Sequence, residues 1–163
     1  MHPIMKTTAY AILTSLAFLA VSILSMPATS TAADSTQITI YVFSGAEKIM
    51  GPDGKPHDTV VPSNFVVKAG QPVTITAYNY DESPHSITSA DLKLNFTITP
   101  GTYNKDGTVT PSISTITFTP TAKGVYRWNC VYPCDKGHGM WAMGQGYSGP
   151  GKEGFMAGFI IVV

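Results

Sequence analysis

The chain has 163 residues, with ten acids balancing ten bases and only 12% charged side chains against 44% apolar ones. That length holds one domain with a core plus a short leader. The charge balance leaves no basic patch or stripe for a nucleic acid, and the apolar content argues against a disordered chain.

The N-terminus reads as an export leader. Residues 1–8 carry one charge, Lys6; Ala9 to Met26 is an uncharged apolar run, and the small residues Pro27-Ala28-Thr29-Ser30-Thr31-Ala32-Ala33 follow. This is the order of a secretory signal, with Ser30-Thr31-Ala32 or Thr31-Ala32-Ala33 fitting a small-x-small cleavage site. The eighteen residues from Ala9 to Met26 would also span about 27 Å as a helix. That is close to a hydrocarbon core of about 30 Å, so an uncleaved membrane anchor is the competing reading. Residues 1–33 are thus expected to be a signal peptide or anchor helix, and 34–163 the folded domain. Both readings place the domain in the periplasm or elsewhere outside the cytoplasmic membrane.

Past residue 33, Thr, Ser, Gly, Pro and Val are abundant and good helix formers are sparse, which suits an all-β domain with many turns. Gln37–Phe43 alternates with period two and predicts a strand. Residues 44–63 predict a loop, with Gly51-Pro52-Asp53-Gly54 and Lys55-Pro56-His57-Asp58 as turn formers and His57 solvated. Asn64–Lys68 and Val73–Asn79 predict two more strands. Asp81-Glu82-Ser83-Pro84 then breaks the chain just before His85-Ser86-Ile87, with Asp81 and Glu82 read as solvated turn residues. Leu92–Thr99, Ser112–Thr119 and Val125–Cys130 predict further strands, residues 100–111 a loop, and Phe159–Val163 a buried final strand. Seven or eight strands with frequent turns imply a two-sheet antiparallel sandwich of Greek-key type.

The most informative stretch is Gly124-Val125-Tyr126-Arg127-Trp128-Asn129-Cys130-Val131-Tyr132-Pro133-Cys134-Asp135-Lys136-Gly137-His138. An alternating strand runs into a loop that holds both cysteines, and the spacing is C-x3-C-x3-H. Thiolate with imidazole is a soft donor set suited to copper, zinc or iron. In an exported protein the two cysteines also allow a single disulfide. His85, after its proline break, is the second candidate ligand. No Ser-His-Asp set or acid–base carboxylate pair stands out, so hydrolytic catalysis has no candidate residues.

Residues 124–138 resemble the copper loop of the cupredoxin family, and C-x3-C-x3-H is similar to the CuA domain of cytochrome c oxidase subunit II and nitrous oxide reductase. The resemblance implies two copper ions bridged by Cys130 and Cys134, with His85 and His138 as one ligand each. It also implies the Tyr132 carbonyl and a methionine as the remaining ligands. The family places that methionine three residues after the loop histidine, where this chain has Trp141. Met156-Ala157-Gly158 resembles the family's Met-x-Gly at the start of the last strand, which makes Met156 the expected axial ligand, with Met143 and then Met140 as alternatives. Residues 139–154 are then a glycine-rich insertion, and Met140, Trp141 and Met143 a lid or docking surface. The resemblance implies an exported electron-transfer protein whose partners are a redox donor and a terminal oxidase or reductase. It is either a subunit of that enzyme or a donor to it, with membrane association through residues 9–26 if the leader stays. A mononuclear blue or red copper carrier, a periplasmic copper-delivery protein and a metal-free sandwich with a disulfide are the rival readings.

Overall fold

The structure is a computed structural model. It describes residues 35–45, 49–51, 54–133 and 155–163. The leader, Cys134, His138, Met140, Trp141 and Met143 lie outside the described residues. The chain divides into two units, 1–31 and 32–163, and every described residue belongs to the second.

The domain is all-β, as its alternation predicts. Eleven strands follow one another among the described residues: β1 Thr36–Phe43, β2 Thr59–Val61, β3 Phe65–Val67, β4 Val73–Asn79, β5 His85–Ser89, β6 Leu94–Ile98, β7 Thr102–Tyr103, β8 Val109–Thr110, β9 Ser112–Phe118, β10 Gly124–Asn129 and β11 Ala157–Val162. One sheet has the order β2-β1-β4-β9 and the other β3-β11-β10-β5-β6; β7 and β8 form a small hairpin.

The burial pattern follows the pleat. In β4 residues 73, 75, 77 and 79 point inward, and in β6 residues 94, 96 and 98. Ile40, Val42, Ile75 and Ala77 from one sheet share a core with Ile87, Phe96, Trp128 and Ile160 from the other. Burying a side chain of this size contributes about 1.5–3 kcal/mol. Trp128 is the largest, stacked on Phe65 at 6.3 Å between ring centroids.

The structure adds detail that alternation could not give. β1 pairs with β4 in parallel, and β11 with β3 in parallel; the other ladders are antiparallel, as expected. β2 falls inside the stretch 44–63 read as loop, and β7 and β8 inside 100–111. These strands hold two or three residues each, too few to show a period.

Candidate metal centre

Two strand ends meet at the site. β10 delivers Cys130, and β5 opens with His85; both residues are fully buried. The β10–β11 ladder closes with Asn129 opposite Ala157 and is extended by one bond, the Cys130 N–H donating to the Met156 carbonyl at 2.9 Å. From the other side the Ser86 N–H donates to Cys130 Sγ at 3.2 Å, and the Val131 N–H donates to Ser86 Oγ at 3.0 Å. Cys130 is a buried thiol, and its Sγ lies 3.8 Å from the Tyr132 carbonyl oxygen.

Met156 sits just before β11, 1% exposed, with φ at 62°. A non-glycine residue in the left-handed region costs on the order of 1 kcal/mol or more and persists where the surroundings fix it. Gly158, two residues on, seats the start of β11. A Cβ there would stand 2.0 Å from the Ser63 carbonyl oxygen and 2.7 Å from Trp128 Nε1. These are the two atoms of a hydrogen bond, Trp128 Nε1–H to Ser63 O at 2.7 Å. The glycine lets the last strand lie against that bond.

His85 uses its two ring nitrogens differently. Nε2 is 2.8 Å from Asp81 Oδ2, whereas Nδ1 is buried with no hydrogen bond to a nitrogen or oxygen among the described residues, and the Cys130 side chain interacts with the ring. Burial pulls the imidazole pKa down. The Asp81 carboxylate, then the Cys130 side chain and then the Asp58 charge outweigh it and raise the pKa to about 9. Burial also pushes the Asp81 carboxyl up. Its hydrogen bond to His85, the His85 charge and backbone bonds from Ser83 and Glu82 hold it below the usual range.

Of the expected ligands, the structure brings together His85, Cys130 and the Tyr132 carbonyl, and places Met156 beside them by its backbone carbonyl. Cys134, His138, Met140 and Met143 lie outside the described residues. The donors present fit a soft metal: a buried cysteine sulfur, a thioether residue, and the His85 imidazole beside that sulfur.

Two expectations need correction. Asp81 is not a solvated turn residue but a buried partner of His85, 7% exposed. His57 is buried too, its ring meeting the edge of Phe155 at 5.9 Å and 78°. Its loop packs on the domain beside the site, and with it Asp58, whose Oδ1 accepts the Gly45 N–H at 2.7 Å. Asp81 and Asp58 are what sequence reasoning missed. The one available signal was the i, i+4 spacing of Asp81 and His85 around a proline, which has meaning only once the turn is closed.

A buried sulfur and imidazole at the joined ends of two strands in a β-sandwich define a class of soft-metal protein. The sequence matches the cupredoxin-like domain over residues 15–140, and the chain belongs to that family, whose fold binds copper. No curated protein matches it. Among solved structures, a chain of a heme-copper terminal oxidase dimer is 21% identical, with a TM-score of 0.40, 62% of this chain covered and 51% of that one. The present chain thus spans about half the length of that oxidase chain. Dithionite-reduced auracyanin from Roseiflexus castenholzii is 20% identical, with 78% and 97% covered and a TM-score of 0.45. The purple cupredoxin from Nitrosopumilus maritimus is 18% identical, with 77% and 99% covered and a TM-score of 0.36.

Proposed function

We propose that this chain is a copper electron carrier acting outside the cytoplasmic membrane, with a CuA-like two-copper centre. Cys130 and Cys134 would be the thiolates shared by the two ions, His85 and His138 would bind one each, and the Tyr132 carbonyl and Met156 would complete the set. The observation that supports this most is the meeting of two buried donors, Cys130 and the His85 imidazole, whose other nitrogen is held by Asp81. Copper supplies one-electron chemistry between its cuprous and cupric states. The residues of the chain hold the donors still through that change. The Ser86 N–H steadies the sulfur, the Met156 carbonyl fixes the Cys130 backbone, and the strand-end position of His85 limits its movement. Little rearrangement on gaining an electron means a low barrier to passing it on.

Donor and acceptor are redox proteins, the acceptor a terminal oxidase or reductase. With acids and bases balanced, steering by charge is weak, so docking falls to apolar side chains, for which Met140 and Trp141 are the candidates the sequence offers. Residues 1–33 export the domain or anchor it to the membrane.

Replacing each cysteine in turn tests the reading. A bridged centre loses its two-copper form in both Cys130→Ser and Cys134→Ser. A mononuclear carrier keeps one copper in one of the two variants. A metal-free sandwich takes up no copper even with both cysteines intact.

A further inference from the structure

The carboxylates of Asp58 and Asp81 and the imidazole of His85 have ligand atoms within 4.8 Å of one another, all three residues buried. They do not form a second cation cradle. Asp81 Oδ2 and His85 Nε2 stand at hydrogen-bonding distance, 2.8 Å, and Asp58 Oδ1 is taken up by the Gly45 N–H. They form instead a buried pair with a second carboxylate beside it.

We propose that Asp81 is a positioning residue of the copper centre. By anchoring His85 Nε2 it makes Nδ1 the ligating nitrogen, and its buried negative charge favours cupric over cuprous copper. The proposal rests on the copper reading above and says which atom of His85 and which neighbouring charge define that site.

Three observations support it. First, the turn that carries Asp81 is fixed on all sides. Asn79 Nδ2 donates to the carbonyls of Ser83 and Thr99, both at 2.9 Å, and Asn79 Oδ1 accepts the Asp81 N–H at 2.9 Å. The Gly101 N–H donates to the Asp81 carbonyl at 2.7 Å, an approach only glycine permits, since a Cβ there would lie 2.7 Å from the Asn79 carbonyl oxygen. Second, Asp81 takes Nε2, while Nδ1 has no nitrogen or oxygen partner among the described residues and the Cys130 side chain interacts with the ring, so the pair leaves Nδ1 to the metal. A ligating histidine gains basicity and a fixed ring orientation from a carboxylate on its other nitrogen. Third, the carboxylate is buried at the site, where charges are screened far less than in water. A negative charge there stabilises the more positive oxidation state, and Asp58 adds to it.

The test uses the full chain, with copper itself as the ligand, and the variants Asp81→Asn and Asp81→Ala. In the metal-free protein, proton–nitrogen spectra should show a His85 Nε2–H signal shielded from solvent exchange. It should persist in Asp81→Asn, whose side-chain oxygen still accepts, and vanish in Asp81→Ala. In the cuprous protein the metal-bound nitrogen of His85 should be Nδ1. Asp81→Asn should bind cuprous ion within a few-fold of the unmodified protein and cupric ion about 10- to 100-fold more weakly. The reduction potential should rise by about 59 mV for each tenfold of that difference. A metal-bound Nε2, an exchanging Nε2–H in the unmodified chain, or equal loss of both affinities in Asp81→Asn overturns the proposal. A protected Nε2–H in a chain that takes up no copper sinks the copper reading, and the proposal with it, while leaving the Asp81–His85 pair standing as a structural feature.

Discussion

Gly158→Ala should loosen the whole centre without touching a ligand. The added methyl would have to occupy space 2.0 Å from the Ser63 carbonyl oxygen and 2.7 Å from Trp128 Nε1. Neither atom belongs to a flexible side-chain end, so β11 or the indole must move. Moving either breaks the 2.7 Å bond between them, and the buried N–H left behind costs about 1–3 kcal/mol. Overpacking adds about 1–3 kcal/mol more. The sum, about 2–6 kcal/mol, lowers Tm by roughly 4–24 °C in a domain of this size, at about 2–4 °C per kcal/mol. Displacement of β11 also carries the Met156 carbonyl away from the Cys130 N–H, so copper affinity should fall together with stability. Thermal unfolding of the metal-free protein, followed by copper titration of whatever folds, reads both effects. A variant with unchanged Tm would refute the claim that the last strand is seated by this glycine.

Three further outcomes follow from the same geometry. Ser86→Ala removes the acceptor of the Val131 N–H and should cost about 1–3 kcal/mol in chemical unfolding, with weaker copper binding because the cysteine loop loses its tether. Met156→Leu keeps the volume and should cost less than about 1.5 kcal/mol; if Met156 is the axial ligand the visible spectrum and potential change, and an unaltered spectrum moves that role to another methionine. In the metal-free protein, stability should depend on pH through the Asp81–His85 pair. The His85 share is complete below its ordinary value of 6.5 and is lost as pH rises to about 9, an effect on the order of a few kcal/mol. The Asp81 share is present above its ordinary value of 3.8 and lost as pH falls below that. Urea midpoints flat from pH 6.5 to 9 would show that the pair does not titrate as described.

The fold was largely legible because its strands alternate. Val73–Asn79 was predicted with the bounds the structure gives it, and β10 was recognisable from Val125, Tyr126 and Trp128 leading into Cys130. Pairing was less legible: nothing local in Thr36–Phe43 says that it runs parallel to β4 rather than antiparallel, since pairing direction is a long-range property. At the site, His85 and Cys130 stood out by residue type and spacing. Asp81 did not, because acids in a Pro-containing turn are ordinarily solvated. Its burial depends on Asn79 and Gly101 folding the turn inward. Asp58 and His57 arrive from a loop well upstream, and only packing brings them in.

The most direct test is copper content per chain, measured together with the paramagnetic resonance spectrum of the oxidised protein. A two-copper, thiolate-bridged centre predicts two coppers sharing one unpaired electron, with a seven-line hyperfine pattern. One copper with a four-line pattern would contradict the bridged centre and leave a mononuclear carrier. No bound copper would contradict the account altogether.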